Sequence, residues 1–461
     1  MQKSLTTAVL IGALFAIRMP CGAATPSLTM LYSFPGPNGA FPEAGLVLHN
    51  GMLVGTAYTG GNGWGTVFEL SPPTPPATAW TPTQLYAFTG QNGDGANPRA
   101  GVIFSSHGAI FGTTEQGGAS GYGTVFALTP ATGGTFTQKV IYSFTGQGGD
   151  GANPEAGLVL SPKSGVLYGT TNAGGTAGYG TVFSLTPVAG GTWTEKVLYS
   201  FAGAPSGCGT TGNPACDGAN PLGVLTLSSS GALYSTTYGG GSVGWGTVFQ
   251  LTQAAGVWSE TVLYSFNGAP SGVNGGTACS TTTQPPCDGG APAGNVVLNA
   301  ATGALYGTTT LGGQPTGCPL GGYEQGCGVV FQLTPPTPPS TTWTESLLYT
   351  FAGPPSDGMF PTSNLVYAPT GGTLYGTTFA GASSGDACFP EIYTGCGMVY
   401  VLRPPTPPST TWTKTTMAAF NVHIGGGPNG VILSPTGGLL YGTTYVGGTS
   451  GGYGTIFQLT F

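Results

Sequence analysis

This chain is nearly without charge. Lysine and arginine together number 8, aspartate and glutamate 15 and histidine 3 in 461 residues, so only 5% of positions are charged and the net charge is −7. So few cations cannot neutralise a run of phosphates, which excludes nucleic acid as a partner. The histidines, His49, His107 and His423, stand in unlike surroundings, and no HExxH helix, nucleophile elbow or phosphate loop occurs. No CxxC pair offers a zinc site. Beyond residue 24 no apolar run could span a bilayer.

Glycine and proline are abundant instead, 86 and 39 residues. Without order this composition would read as disorder. Here the glycines fall at fixed places between apolar runs, because one unit is written seven times. The clearest copy spans residues 140–186: VIYSF, GDGANPEAG, LVL, LYGTT, then GYGTVFSLT. Each unit holds four runs of about four to seven residues, rich in β-branched and aromatic side chains and bounded by turn formers. These are strands, too short for helices. We name them A (LVL), B (LYGTT), C (GTVFxLT) and D (KVLYSF). Short joins make A to D an antiparallel meander, and seven meanders predict an all-β fold, a seven-bladed β-propeller. A solenoid is the alternative, but no capping repeats are seen. The chain opens with a lone D (Leu28–Phe34) and ends with A, B and C alone (Val431–Phe461), so the N-terminal strand is expected to complete the last blade and remove the open edge.

Residues 1–24 read as a secretory signal peptide, with Lys3, an apolar stretch to Ile17 and the small residues Gly22-Ala23-Ala24. The propeller domain is then 25–461. Arg18 is unusual near a cleavage site, and Cys21 follows a poor lipobox. Localisation is expected to be secreted or periplasmic. Eight further cysteines form near neighbours: Cys208 with Cys216, Cys279 with Cys287, Cys318 with Cys327 and Cys388 with Cys396. An even set in an exported chain implies disulfides. Each closed loop of about nine residues would restrict the unfolded chain by roughly 2.5 kcal/mol.

Through LYSF, DGANPxAGLV, LYGTT and GYGTVFxLT, over residues 28–461, the chain resembles the GloVer-type tandem repeat proteins, also called choice-of-anchor tandem repeat proteins. The resemblance implies an exported bacterial protein, often carrying a C-terminal anchor, with no assigned catalytic activity. This chain departs from that pattern by stopping at Phe461 inside its last C strand, which favours release or periplasmic retention.

Alternating strand directions place the D-to-A and B-to-C connections at one end of the ring. From the D-strand Phe to the next turn Pro the spacing is 8, 10, 10, 20, 26, 10 and 8 residues; from the strand-B position to the slot opening strand C it is 10, 11, 11, 11, 21, 21 and 12. The four insertions, 202–220, 267–291, 310–327 and 380–396, thus fall on one face in blades 4–6, and each holds one cysteine pair. Stapled loops on a rigid scaffold are how binding surfaces are built. The expected patch takes contact area from Tyr323, Phe389 and Tyr393 and polar contacts from Glu324, Asp386 and Glu391. The plainer reading is that these loops only tolerate insertion.

Recurring aromatics, in the slot before strand C (Cys327 and Cys396 stand there in two blades), in strand B (Val54 in blade 1) and at the end of every strand D, are expected to pack between sheets rather than to stack sugars. The turn aspartates Asp94, Asp150, Asp217, Asp288 and Asp357 read as Asx turns, with calcium binding as the alternative. No other cofactor is expected. Glu43 and Glu155 share the position after the turn proline, but Arg99 and Leu222 stand there in other blades, so a carboxylate pair for glycosidic cleavage has few candidates. The PPTPP segments before Trp80, Trp343 and Trp412 read as stiff hairpin tips pinned by the Trp. The preferred function is a non-catalytic, monomeric binding or scaffold module for a carbohydrate or a surface protein. The alternative is an extracellular polysaccharide hydrolase or lyase.

Overall fold

The structure is a computed structural model. It describes residues 25–203, 217–268, 287–313, 318–320, 323–324, 326–382, 388 and 395–461. The signal-peptide reading of 1–24 lies outside them.

Seven four-stranded antiparallel sheets form the blades of a β-propeller. Blade 3 shows the plan: A is Val159–Leu160, B Leu167–Thr171, C Thr181–Val188 and D Thr192–Ser200, each paired with the next. Blades 1, 2, 4, 5 and 6 occupy residues 47–87, 103–143, 226–265, 297–350 and 366–419. Blade 7 takes three strands from the C-terminus, Gly426–Leu433, Leu439–Val446 and Thr455–Thr460, and its D strand from the N-terminus, Ser27–Ser33. The closing pair runs antiparallel from Ser27↔Thr460 to Ser33↔Thr455. Closure is as the repeat register requires. Among the described residues the only helical element is a single 3-10 turn, Thr132–Gly134, and no helix is long and apolar enough to cross a membrane.

The repeated residues explain the stacking of blades. Strand C is the buried centre of each sheet, with Thr181 to Leu185 all buried. The Phe ending each D strand meets the aromatic of the next blade's strand C edge-on, from Phe34–Phe68 at 5.1 Å through Phe351–Tyr400 at 5.2 Å to Phe420–Phe457 at 4.9 Å. Glycine in LYGTT makes room for that ring: a Cβ on Gly169 would lie 2.5 Å from Phe183 Cζ. On the other end of the blades Trp80 meets Tyr441 and Trp412 meets Tyr306, edge-on at 6.3 and 6.2 Å, pinning hairpins to the preceding blade as expected.

A second set of links is polar. The residue before each turn proline adopts positive φ: Phe41 54°, Asn97 56°, Asn153 55°, Asn220 55°, Ala291 53°, Phe360 58° and Gly427 63°. In that pose its N–H donates to the carbonyl of the preceding blade's slot residue, as in Asn97 to Trp64 O (2.8 Å) and Asn153 to Tyr122 O (2.9 Å). Phe41 N–H to Tyr453 O (2.8 Å) closes the ring in the same way. Because the link uses only backbone, the slot also accepts Cys327 and Cys396, which receive Phe360 and Gly427 at 3.0 Å.

One expectation is corrected here. The slot aromatics do not pack between sheets: Trp64, Tyr122, Tyr179 and Tyr453 are 36–42% exposed. They lie over loop glycines, Trp64 on Gly90 and Tyr122 on Gly146. Only Trp245, at 1%, is covered.

Disulfides join Cys318 to Cys327 and Cys388 to Cys396. Cys287 is also disulfide-bonded; Cys208, Cys216 and Cys279 lie outside the described residues. Such bonds are compatible with an extracellular setting.

Candidate functional site

The D-to-A and B-to-C connections do share one end of the ring, since they pair with each other: Gly95–Ala96 with Gln116–Gly117, Gly151–Ala152 with Ala173–Gly174, and Gly358–Met359 with Ala380–Gly381. Of the expected patch, Tyr323 and Glu324 form the second strand of a hairpin whose partners are Leu320 and Pro319. Asp386, Phe389, Glu391 and Tyr393 lie outside the described residues.

On the ring axis is a cavity of about 890 Å³, lined by the residues that open strand A in all seven blades. The residue after each turn proline stands at its mouth, on the end that carries the connections. In blades 4–7 this position is uncharged: Leu222, Ala293, Thr362 and Asn429. In blades 1–3 it is Glu43, Arg99 and Glu155. The repeat thus brings three of the chain's few charges together. Arg99 Nε donates to Glu43 Oε2 at 2.8 Å and Nη1 to Glu155 Oε2 at 2.7 Å, with Glu115 Oε2 at 3.7 Å. Glu115 comes from the end of strand B in blade 2, one residue past its Thr-Thr. It accepts a hydrogen bond from Tyr58 Oη at 3.2 Å, and Tyr58 holds that same repeat position in blade 1. Asn172, the blade 3 equivalent, donates to Glu155 Oε1 at 2.6 Å.

Three carboxylates around one guanidinium leave the mouth acidic. Their side chains are only 13–17% exposed, while Arg99 is 42% exposed. Burial raises the Glu43 and Glu155 carboxyl groups above the usual range, against the opposing pull of Arg99. For Arg99 burial opposes the charge, but the three glutamates outweigh it and its pKa is raised. Burial, then Glu115, pushes the Tyr58 phenol up to about 12.

The other side of the mouth is aromatic. Tyr238, Phe379 and Tyr445, which follow Thr-Thr in blades 4, 6 and 7, line the cavity together with Phe360. Tyr445 lies 5.3 Å from Phe41 and 6.3 Å from Phe379 between ring centroids. Phe41 and Phe360 occupy the left-handed position that blades 2–4 give to asparagine, which tolerates it better. Phe360 thus holds costly backbone where its ring lines the cavity, and Phe41 holds it where its ring backs the lining residue Tyr445, a pattern associated with function.

The acidic cluster was not legible as a pair of carboxylates in one blade, because its members come one per blade. The available signal was positional: in a closed ring the same repeat position in adjacent blades means neighbours around the axis.

The turn aspartates behave as turn formers. Asp94 accepts from Thr89 N–H (2.8 Å), its hydroxyl (2.9 Å) and Gly95 N–H (2.8 Å), and Asp150 repeats the set. Among the described residues no group of three or more His, Cys, Asp or Glu side chains is placed to hold a metal ion.

The fold therefore defines the class: a repeat-built seven-bladed propeller with a charged axial mouth. Residues 7–215 match the family model described as the Gloeobacter/Verrucomicrobia repeat, which is consistent with a GloVer-type repeat. No curated protein matches the chain. Similar solved structures include the PQQ-bound aldose sugar dehydrogenase of Streptomyces coelicolor, at 12% identity over 95% of this chain and 98% of that one, with TM-score 0.39. The Trypanosoma rangeli sialidase in complex with sialic acid is similar at 10% identity over 94% and 58%, with TM-score 0.41 for a protein of unknown function from Dyadobacter fermentans (10% identity, 94% and 98% covered) and 0.40 for the sialidase. Likenesses this remote concern the fold and carry nothing about activity.

Proposed function

We propose that the protein is an exported, non-catalytic ligand-binding propeller that takes a carbohydrate at the axial mouth, on the face that also carries the cysteine-bearing loops of blades 4–6. The observation that supports this most is the mouth itself. A cavity of about 890 Å³ has the size of small-ligand sites. Rings on one side offer stacking surface, and carboxylates with an arginine on the other offer hydrogen-bond partners for hydroxyl groups. The disulfide at Cys318–Cys327 fixes the ends of one neighbouring loop. Tyr323, Glu324, Asp386, Phe389, Glu391 and Tyr393 stay candidates for extending the surface outward from the mouth.

Hydrolysis is the second reading, and one observation favours it: Glu43 and Glu155 share the cavity with pKa values raised by burial, as a general acid requires. A glycan array and a polysaccharide hydrolysis screen on the same protein separate the two. Retention without released sugar supports the module; turnover lost in Glu155→Gln supports the enzyme. No retained glycan and no turnover reject both.

Two sets of substitutions map the surface. Replacing Phe379 and Tyr445 by Ala is expected to weaken glycan binding roughly tenfold or more, about 1.4 kcal/mol, measured by calorimetric titration. Replacing Tyr323 and Tyr393 by Ala is expected to weaken binding without lowering the melting temperature. Binding unchanged in the second set confines the site to the axis.

A further inference from the structure

One position of the outer strand faces the loop arriving from the preceding blade, six residues before the terminal Phe. Its occupant changes around the ring. In blade 2 it is Gln138, whose Nε2 donates to Asp94 Oδ1 at 3.3 Å. In blade 6 it is Lys414, whose Nζ donates to Asp357 Oδ1 at 2.7 Å. In blade 7 the pair is apolar, Leu28 and Ile424 packing on one cluster, and in blade 1 Pro82 and Asn38 line one small cavity. In blades 3, 4 and 5 it is glutamate. Glu195, Glu260 and Glu345 hold the register position from which Gln138 and Lys414 reach their aspartates, and the charges of Asp150, Asp217 and Asp288 act on them.

These three aspartates are already acceptors. Asp217 takes Tyr199 Oη–H (2.6 Å) and Ala202 N–H (3.1 Å); Asp288 takes Tyr264 Oη–H and the Asn267 backbone and side-chain N–H groups (2.8 and 2.6 Å). Asp217 and Asp288 are 4% and 2% exposed. Opposite them, Oε1 of Glu195, of Glu260 and of Glu345 is shut from solvent with no hydrogen-bond partner. Where Gln138 and Lys414 stand, the same register supplies a donor. A glutamate supplies one only when protonated.

We propose that Glu195–Asp150, Glu260–Asp217 and Glu345–Asp288 are proton-shared latches across three successive blade interfaces, closed while the glutamate keeps its proton and released when it is lost. Burial first, and the facing aspartate second, raise Glu195 to about 7 and Glu260 and Glu345 to about 8. The other titratable groups that feel these glutamates are Tyr142, Tyr199 and Tyr264, whose own pKa values are raised, so they stay neutral here. The folded pKa lies above the unfolded value of 4.5, so the folded state holds the extra protons. The stabilisation is complete in acid, declines above about pH 4.5 and is gone once pH exceeds about 8. Two latches close the feet of the long loops, since Asp217 follows Cys216 and Asp288 follows Cys287. Acid thus firms the base of the loop-bearing face, and neutral to alkaline pH loosens it. This does not depend on what the mouth binds.

The test is thermal unfolding of the whole protein between about pH 5 and pH 8.5. Wild type is expected to lose several degrees of melting temperature across that range. The triple variant Glu195→Gln, Glu260→Gln, Glu345→Gln carries a permanent donor at each place, so it should hold a flatter profile and melt above wild type at about pH 8. If the triple variant fails to fold, the single variant Glu345→Lys, copying the Lys414–Asp357 pair, should melt above wild type at that pH and match it near pH 5. Parallel profiles of wild type and variant overturn the proposal. So does a wild type whose melting temperature at about pH 8 is restored by calcium chloride to its acid value, for then a bound cation, not a proton, fills the latch.

Discussion

Lys414→Met is expected to destabilise the protein by about 3–5 kcal/mol, the range for removing one partner of a buried ion pair. Lys414 and Asp357 side chains are 9% and 7% exposed, and their 2.7 Å contact joins the outer strand of blade 6 to the loop arriving from blade 5. The loss comes from the partner left behind. Asp357 keeps its bonds from Tyr349 Oη–H, Ala352 N–H and Gly358 N–H, but its charge no longer meets an opposite one. Removing both charges should cost much less, so Lys414→Met with Asp357→Asn is expected to recover at least half of the loss. Denaturant unfolding of the four species gives the cycle. A Lys414→Met cost under about 1 kcal/mol would show instead a screened surface pair.

Lys414 also shows what repeat reading reveals and what it conceals. Strand order, blade number, ring closure and the shared end of the long connections all follow from LYSF, LYGTT and GTVF recurring in register, because each unit's four apolar runs can bury themselves only as a stacked sheet. The four isolated cysteine pairs pointed to local disulfides, and two of them are in place at Cys318–Cys327 and Cys388–Cys396. The mouth was harder. Glu43, Arg99, Glu115 and Glu155 are spread over 113 residues, 155 − 43 + 1, and each looks like an exception to its own repeat. Only the ring makes them one cluster. The slot aromatics misled for a related reason: recurrence in five blades suggested packing, but Trp64 and Tyr122 recur to cover a loop glycine, Gly90 and Gly146, that recurs with them. Constancy shows that a position has a job in each blade, not that it is buried.

The exceptions carry more chemistry than the constants. Where the repeat writes Asn before proline, Phe360 puts a ring at the mouth and Phe41 puts one behind Tyr445, each at a cost in backbone geometry. Where the outer strand writes an uncharged residue in blades 7, 1 and 2, blades 3–5 write glutamate against aspartate. An unpaired carboxyl group between sheets is unfavourable in a neutral solvent, and a chain that uses charge at only 5% of its positions has placed three of them there. Lys414 shows that the same place accepts a permanent cation, so the acid pairs are not forced by the backbone.

The second large effect concerns the seam. Phe34→Ala is expected to cost about 3–5 kcal/mol, as for a fully buried phenylalanine, and removal of residues 25–34 should abolish the soluble monomeric form. Phe34 is 1% exposed and meets Phe68 of blade 1 edge-on at 5.1 Å. Its N–H donates to Gly454 O at 3.0 Å, and six register pairs tie its strand to Thr455–Thr460. Without that strand, Thr455–Thr460 becomes an unpaired edge beside an apolar cluster, the arrangement that templates strand addition from another chain. The equivalent Phe144→Ala has the same burial and the same ring contact, to Phe183 at 5.1 Å, but lies within a continuous blade. The point losses should therefore be alike, while only the seam deletion opens an edge. Size-exclusion chromatography of the deletion should show aggregates or higher oligomers. A monomer melting within a few degrees of wild type would mean that the ring is held by the stacking of blades and not by the strand that closes it.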